Sequence, residues 1–594
     1  MYLKCHHRLK DGKEHRYWSI VESVRTRRGV IKRQLLYLGE INDSQRAQWC
    51  SALDVLDLSG SSTVKQMSLF PEDRTPPEEV INPIQVRLSQ MTLRRPRQWG
   101  GCWLALELWS LLGLDGFWTS RLQKSRKGTE WLNVLKTLVI YRLLDPGSEW
   151  RLHRDWFKNS AMPDLLGTDD GIAAKNTLYR CLDKLCEHKE ELFSFLKSQW
   201  ALLFNASYDV LLYDLTSTYF ECDPSEAGDG LRKFGYSRDK RSDCVQVVIA
   251  LIVTPEGFPV AYEVMPGNTS DKTTLPEFLR KIEKQYGKIN RLWIMDRGIP
   301  TEAALVQMRA EGANYLVGTP RGRLSKLEDQ LFAQQWKKVQ EQIQVKLARD
   351  GEDLYVLTRS GGRRDKEQSM RRRKLKRLWN RLHQIRVMKG LKRDALLLKL
   401  GAAKQEAGKV WDIVDIQLPK PQQAVSSSTF TFNLNRKKLR LARRGEGTYL
   451  LRTNLSAGNP EYLWKQYIVL TEVEQAFKEL KNDLDIRPIY HHKDNRIEAH
   501  IFVSFLSYCL QVTLKNKAKI KAPGLTPRAI LEKFKAMQMI DVHLPTTDNR
   551  NLIMPRYTQP EKDLQLLLHQ LNLRLPDQPP PKIEDLKTKC GADL

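Results

Sequence analysis

The chain has 594 residues, several times the length of an ordinary domain, so we expect several domains that each bury a core. Its 97 Lys and Arg against 70 Asp and Glu give a formal net charge of +27, which favours a polyanion such as nucleic acid as partner. There is no run of about eighteen apolar residues, no signal-peptide pattern at Met1 and no Cys-x2-Cys pair among the nine cysteines. These features argue against a membrane protein, a secreted disulfide scaffold and a structural zinc site, and for a cytoplasmic protein.

The N-terminal third contains a strand-rich part and then a helical part. Strand-like runs alternate with basic turns, which predicts a small basic strand-rich module over residues 1–75. The Pro-containing stretch from Pro71 to Pro96 is predicted to be a linker. Leu and Trp then recur at helical spacing from Trp103 to about Leu203, which predicts a compact helical domain. We assign residues 76–205 to the linker and this domain and expect the domain to bind DNA, although its tryptophans equally suit core packing.

Strands and helices alternate from residue 206 onward. Three strand-like runs come first, the last two joined by the turn Pro255-Glu256-Gly257, and a helix, a strand, a helix and a strand follow. This order predicts an α/β fold with a mixed sheet flanked by helices, the ribonuclease-H-like arrangement. We place the first part of this core at residues 206–320 and the second part at residues 446–545.

A long basic segment, residues 321–445, interrupts this core. Between Gly361 and Arg393 it has fourteen Lys or Arg residues against two acids, with apolar residues at helical spacing, which predicts an amphipathic helix with a cationic face. Such a face can be merely solvated. The excess of one sign favours phosphate contact instead, with Arg371, Arg372 and Arg373 as candidates.

Residues 546–594 are predicted to form a C-terminal segment. It should contain one helix, from Pro560 to Leu571, followed by a Pro-rich tail at Pro576 to Pro581 that we expect to be mobile.

Two aspartates follow apolar strands of the predicted core. Asp214 comes after Val210-Leu211-Leu212-Tyr213, which predicts a short strand that ends there, and a carboxylate buried in such a strand is costly without a cation or several donors. Asp296 follows the strand Leu292 to Met295, and ligands gather at strand ends in sheets of this class. Each aspartate alone can be a capping or salt-bridged residue. Together, on strands that can lie side by side, they are a stronger candidate for a site.

A helix supplies the third acidic position. The segment from Glu461 to Asp483 has no Gly or Pro, so we predict one continuous helix. Residues seven apart return to nearly the same helical face, which here carries Tyr467, Glu474 and Lys481, with Leu470 and Lys478 beside them. Taken alone, this pattern also fits an ordinary amphipathic helix with an ion pair between Glu474 and Lys478.

The pattern Tyr467-x2-Leu470-x3-Glu474-x6-Lys481 resembles the Tyr-x2-Arg-x3-Glu-x6-Lys signature of DDE transposases of bacterial insertion sequences, in the branch with a strand-rich insertion before the third acid. Leu470 replaces the signature arginine, which affects a DNA-backbone contact rather than the chemistry. The flanking segments agree as well: Asp214 to Glu221 resembles the family's first-acid strand, Met295 to Gly298 its second, and His491 to Leu506 the helix after the signature.

The resemblance implies an enzyme that cuts and joins DNA at insertion-sequence ends. Its catalytic residues would be Asp214, Asp296 and Glu474, which would hold two Mg²⁺ or Mn²⁺ ions, with Asp214 bridging both ions. The residues implied or considered as phosphate contacts near the cut are Tyr467, Lys478, Lys481, Arg297 and Lys240.

The implied partners are double-stranded DNA, both as terminal inverted repeats and as target, and a second copy of the chain in the DNA complex. The implied location is the bacterial cytoplasm, in association with the nucleoid. Two alternatives stay open: a ribonuclease-H-like nuclease without strand transfer, and a DNA-binding protein with a decayed active site. A 3′-joining assay separates a transposase from the first, and the three intact acids argue against the second.

Overall fold

The structure of the protein is a computed structural model. It describes the chain except for residues 1, 11–12, 27–28, 42–44, 46–48, 50–85, 222–229, 238, 271–274, 287–290, 297–299, 320–334, 341–342, 389, 422, 424, 456–458 and 586–594. The chain forms two compact units: Met1–His6, Arg16–Lys288 and Thr471–Leu594 make up the first, and His7–His15 and Ile289–Leu470 the second.

Strands and helices are numbered here in chain order. The strands are β1 (Tyr2–Lys10), β2 (Lys13–Thr26), β3 (Gly29–Gly39), β4 (Thr92–Gln98), β5 (Val210–Tyr219), β6 (Gln246–Val253), β7 (Pro259–Pro266), β8 (Leu292–Met295), β9 (Asn314–Thr319), β10 (Lys337–Gln340), β11 (Ile343–Asp350), β12 (Asp353–Ser360), β13 (Val414–Gln417), β14 (Thr431–Leu434), β15 (Thr448–Thr453), β16 (Gln538–Pro545), β17 (Arg550–Tyr557) and β18 (Lys582–Asp585). The helices are α1 (Gly100–Leu111), α2 (Leu114–Thr119), α3 (Trp131–Leu144), α4 (Met162–Leu166), α5 (Lys175–Leu182), α6 (Lys189–Phe204), α7 (Leu275–Tyr286), α8 (Glu302–Ala310), α9 (Gly361–Arg386), α10 (Arg393–Ala407), α11 (Arg436–Gly445), α12 (Pro460–Ile468), α13 (Leu470–Lys478), α14 (Asp494–Lys521), α15 (Pro527–Phe534) and α16 (Lys562–Gln570).

The helical part of the first unit is built around α14. This helix packs against α1, α3, α5 and α15, and Ser507 donates a hydrogen bond to the Val139 carbonyl of α3 at 2.8 Å. On the side of the β6–β7 turn, Tyr508 donates to the Gly257 carbonyl at 2.8 Å. The helix is long and apolar enough to cross a membrane by composition, but 94% of that stretch is buried in the protein, as in a core helix.

The tryptophans of α1, α2, α3 and α6 confirm the core-packing interpretation. All five tryptophans of these four helices are buried: Trp103, Trp109, Trp118, Trp131 and Trp200. The predicted change to helical structure near Trp103 is confirmed by α1 to α6. The DNA-binding role of the domain stays a prediction.

Strands β5, β6 and β7 of the first unit form an antiparallel meander, and α6 packs against β7. The predicted hairpin is confirmed, with Gly257 at φ 90° in its turn. The predicted end of the first strand is wrong, because β5 continues for five residues beyond Asp214, to Tyr219. The hydroxyl residues Thr216, Ser217 and Thr218 are buried and paired along β6, so their polarity does not end the strand.

The predicted linker and the predicted mobile tail meet in one sheet, with strand order β18-β17-β16-β4. Residues 71–85 of the linker lie outside the described residues, but β4 pairs with β16, so the linker prediction is wrong from Thr92 on. Pro96 is tolerated because β4 is an edge strand. The prediction of a mobile Pro-rich tail is also wrong: the Gln578 side chain accepts a hydrogen bond from the Tyr557 N–H at 3.0 Å, and β18 pairs with β17.

The second unit contains a mixed sheet with strand order β10-β11-β12-β15-β9-β8. Strands β8 and β9 are parallel and the other pairs are antiparallel. Helices α8, α9 and α12 pack against it, and Thr301 caps α8 by accepting a hydrogen bond from the Ala304 N–H at 3.1 Å. The predicted mixed sheet flanked by helices is therefore confirmed.

The predicted amphipathic basic helix is confirmed by α9. Its apolar residues Leu378, Leu382 and Ile385 pack with α10 and the strands β13 and β14 in a separate core cluster. Ser360 caps the helix by accepting a hydrogen bond from the Arg363 N–H at 3.3 Å. The basic segment thus has a core of its own within the second unit.

The prediction of one continuous helix from Glu461 to Asp483 is wrong in detail. Helix α12 ends at Ile468, α13 begins at Leu470, and residues Glu479–Asp483 have π-helical geometry. The absence of Gly and Pro argues against a sharp break in the helix. It does not exclude local changes of hydrogen bonding such as a π-helical turn, which cannot be recognised from amino-acid composition.

Candidate active site

Asp214 lies in the middle of β5, opposite Leu251 of β6. Its neighbours Tyr213 and Leu215 are fully buried, whereas Asp214 is half-buried. One carboxylate oxygen accepts the Leu215 N–H at 2.8 Å. A carboxylate in such a strand loses hydration, so a cation at its outer side would stabilise it.

Asp296 is the first residue after β8, whose four residues are all buried. It is half-buried, and it lies at the carboxyl end of the parallel pair β8 and β9. Ligand sites of open α/β sheets form at this end of the strands. Arg297, which follows, lies outside the described residues.

Glu474 lies on the exposed face of α13. Val473 and Phe477 are buried on the other face, while Glu474 and Lys478 are exposed. Asp214 and Glu474 belong to the first unit and Asp296 to the second. That the three carboxylates share metal ions stays a prediction.

Lys481 follows α13 in the π-helical segment and is held by an acid. Its Nζ lies 3.1 Å from Oδ1 of Asp239, and Arg487 pairs with the same carboxylate. Burial acts to raise the pKa of Asp239, but the hydrogen bonds from Arg487 and Lys481 outweigh it and lower that pKa. The side chain of Lys481 is 11% exposed, so a contact with phosphate requires this ion pair to open.

Tyr467 and Lys240, two further predicted phosphate contacts, lie in the second and first unit respectively. The Tyr467 ring stacks on Tyr449 with centroids 5.7 Å apart, and Trp464 donates to the Tyr449 hydroxyl at 2.6 Å. Lys240 is exposed and adopts a left-handed backbone conformation with φ 62°. Their roles on DNA stay predictions.

Leu470, the departure from the family signature, is 6% exposed. Its side chain is used in packing, which is the ordinary role of a leucine on a helix.

The basic helix α9 contains one correction to the predicted contacts. Arg371 is 8% exposed and its Nε lies 2.8 Å from Oε1 of Glu446, so it is a buried ion-pair partner rather than a phosphate contact. Arg372 and Arg373 are exposed. The sequence could not separate these neighbours, because the partner of Arg371 lies 75 residues away.

A buried cluster in the first unit was not predicted. The ligand-type atoms of Glu149, His491 and His500 all lie within 4.8 Å of one another. The two ring nitrogens of His500 contact an Arg142 guanidinium nitrogen at 3.4 Å and the Ile486 carbonyl oxygen at 3.3 Å. A guanidinium donor therefore faces the ring nitrogen that a metal would need, and the cluster is better explained as a buried ion network than as a metal centre.

Comparison with known proteins supplies the family. The family model described as "Transposase DDE domain" matches residues 206–510, just over half of the chain. The chain belongs to the DDE transposase family. The transposase is therefore an enzyme that transfers polynucleotide strands, and DNA is its substrate. The matched residues include Asp214, Asp296 and Glu474.

No curated protein matches the transposase in sequence. Among solved structures, it is similar to a chain in the cryo-EM structure of a piggyBac transposase synaptic complex with hairpin DNA, with 8% identity and a TM-score of 0.34, over 75% of this chain and 82% of that chain. A TM-score of 0.34 is too low to establish a common fold.

The carboxylates of the transposase suit the metal ions that its family generally uses. Asp214, Asp296 and Glu474 offer hard oxygen ligands, which Mg²⁺ and Mn²⁺ prefer over the imidazole and thiolate ligands typical of zinc. Asp214 and Asp296 are only half-buried, so water can complete the coordination of an ion.

Proposed function

We propose that the transposase cuts DNA at insertion-sequence ends and joins the freed 3′-hydroxyl to target DNA, and that Asp214, Asp296 and Glu474 hold two Mg²⁺ or Mn²⁺ ions for both steps. The observation that carries the proposal is Asp214, a carboxylate in the middle of a largely buried strand within the matched family domain. Two such ions activate the attacking oxygen and stabilise the leaving oxygen.

The other groups of the chain orient the substrate. Lys478, exposed one turn after Glu474, would attract a phosphate as a point charge. Lys481 would do the same once released from Asp239. The signature supports placement in the insertion-sequence branch, with assembly as a dimer on paired DNA ends and activity in the bacterial cytoplasm.

Charge-removing variants test the three acids. Asp214→Asn, Asp296→Asn and Glu474→Gln should each lower Mg²⁺-dependent cleavage of element ends by roughly 10³-fold or more, while folding and duplex binding persist. Asp209→Asn, an exposed position just before β5, and Glu472→Gln, two residues before Glu474, are matched controls that should cleave normally. Normal cleavage by one of the three variants would remove that residue from the site.

A joining assay separates the two catalytic candidates. Supplying a pre-cut end with a free 3′-hydroxyl and a supercoiled target should give strand-transfer products that need the same three acids. Cleavage without joining would favour a ribonuclease-H-like nuclease.

A further inference from the structure

Most of the protein's net charge lies in one short region of the second unit. Residues 361–446 contain 24 Lys and Arg residues and seven acids, a net +17 out of +27 for the whole chain. Helix α9 accounts for part of this charge and α11 for another part.

Helix α11 is basic at six of its ten positions and contains no acid. None of its residues is buried, and Leu441 is 65% exposed. Arg440 lies four residues from both Arg436 and Arg444, a spacing at which like charges repel. Cations in the first turn, such as Arg436 and Lys437, also oppose the helix dipole. The helix contains no acid to neutralise these cations, so its composition fits an external polyanion.

Both ends of α11 are nevertheless anchored. At its start, the Asn435 N–H donates to the Ile413 carbonyl at 2.8 Å and the Asn435 side chain accepts from the Lys438 N–H at 2.9 Å. At its end, Glu446 forms the buried ion pair with Arg371 of α9. Contacts at Asn435 and Glu446 therefore hold the two ends of α11 in place.

The cations of α9 and α11 meet at this buried pair. Burial lowers the pKa of Arg371 and Glu446 opposes that effect, while the positive charges of Arg443 in α11 and Arg372 in α9 both act to lower it further. Arg372 directly follows Arg371, and the Arg443 carbonyl accepts the Glu446 N–H at 3.4 Å, so one cation of each helix lies beside the pair. We name the exposed cations of the two helices the two-helix cationic surface: Arg372, Arg373, Lys374, Lys376 and Arg377 of α9, and Arg436, Lys437, Arg440, Arg443 and Arg444 of α11.

We propose that the two-helix cationic surface binds the phosphate backbone of double-stranded DNA independently of base sequence. The inference rests on the proposed function in taking duplex DNA as the substrate, and it adds the surface that holds it. Counterion release from phosphates is favoured by a dense array of exposed Lys and Arg such as this one. A membrane surface fits less well, because it requires an exposed apolar helix face and the apolar residues of α9 are packed in their own core.

The test compares salt dependence of binding in full-length variants. For Arg440→Gln/Arg443→Gln/Arg444→Gln, the slope of log affinity for a labelled random-sequence duplex against log KCl concentration should fall in magnitude by about 2 to 3, at about 0.9 for each lost contact. The variant Arg440→Lys/Arg443→Lys/Arg444→Lys keeps the positive charges, so its slope of log affinity against log KCl concentration should equal that of the parent. Lys404→Gln/Lys409→Gln/Lys420→Gln removes as much exposed charge from the same region without touching either helix and should also keep it.

Several results would overturn the inference. These are an unchanged slope in the Gln variant, an equal decrease in the Lys404 control, or a loss of binding to phosphatidylserine vesicles while duplex binding is intact. The Gln variant should melt at the same or a higher temperature than the parent, because the repulsion within α11 is reduced. Asp214→Asn should keep the parental slope whether or not it cleaves, so failure of the catalytic proposal is distinguishable from failure of this one.

Discussion

His500 is a buried side chain whose charge state is set by its neighbours. Burial, assisted by the positive charge of Arg142, lowers the pKa of His500 to about 4. Burial acts to raise the pKa of Glu149, but its hydrogen bond with His491 and the proximity of His500 outweigh it and hold that pKa well below its usual range. Both groups take up protons when the protein unfolds in mild acid, so both make the folded state less stable as pH falls.

This network predicts a specific acid sensitivity. Between pH 6.5 and about 4.5 the folded protein keeps His500 neutral while the unfolded chain protonates it, so stability should fall with falling pH by at most about 1.4 kcal/mol per pH unit from this residue. His500→Gln keeps a donor and an acceptor but cannot titrate, so the decrease of its melting temperature over this range should be smaller than the parent's. His569→Gln, at an exposed position, is the control and should follow the parent. Identical pH profiles for His500→Gln and the parent would contradict the assignment.

Long-range pairing of charged residues limits what sequence can say about single residues. The family signature draws attention to Lys481, but its partner in the structure, Asp239, lies 242 residues away. In the same way, the sequence does not distinguish Arg371 from Arg372 and Arg373. Only the structure shows that Arg371 is buried against Glu446. The candidate acids were easier to select from the sequence, because Asp214 interrupts a largely apolar run and Asp296 follows one.

At the scale of elements, the ion pair between Arg371 and Glu446 fastens α11 to α9. Both side chains are under 10% exposed, and burial raises the pKa of Glu446 and lowers that of Arg371. A pair of this kind is costly to break from one side, since the remaining charge stays buried without its partner.

Removing one member should therefore destabilise the second unit. Glu446→Gln is expected to lower its stability by about 3 to 5 kcal/mol, and Arg371→Met/Glu446→Leu should recover most of that loss. Glu461→Gln breaks the exposed pair with Lys465 and should cost less than about 1 kcal/mol. Chemical denaturation, monitored by hydrogen exchange in α9 and α11, measures these changes in the free energy of unfolding. Equal losses of stability in Glu446→Gln and Glu461→Gln would show that the buried pair does not stabilise the contact between α9 and α11.

Strongly periodic elements were the predictable ones. The bounds of β8 agree with the predicted strand because its apolar run begins and ends sharply. The sheet of β4 and β16 was missed because β4 is basic, contains Pro96 and pairs with a strand more than 400 residues later, so no local pattern marks it. Helix α11 was missed because only Leu439, Leu441 and Ala442 in it are apolar; the cap Asn435 before its basic run was the available signal.

At the scale of the whole molecule, charge and chemistry are unevenly distributed along the chain. A net +17 lies within residues 361–446, between the second and third acids. The family domain spans residues 206–510 and so includes this basic region as well as the three acids. This arrangement suits an enzyme that must hold a polyanion while it cuts it.

The most direct test of the metal proposal is to map bound metal on the polypeptide itself. Fe²⁺ can replace Mg²⁺ or Mn²⁺ at oxygen-rich sites, and with ascorbate and peroxide it cleaves the nearby main chain. The fragments, identified by mass spectrometry, should end close to Asp214, Asp296 and Glu474, and excess Mg²⁺ or the Asp214→Asn substitution should suppress all three cuts together. Fragments that end only near Glu149, His491 and His500, or cuts at the three acids that respond independently to Asp214→Asn, would contradict a shared metal site.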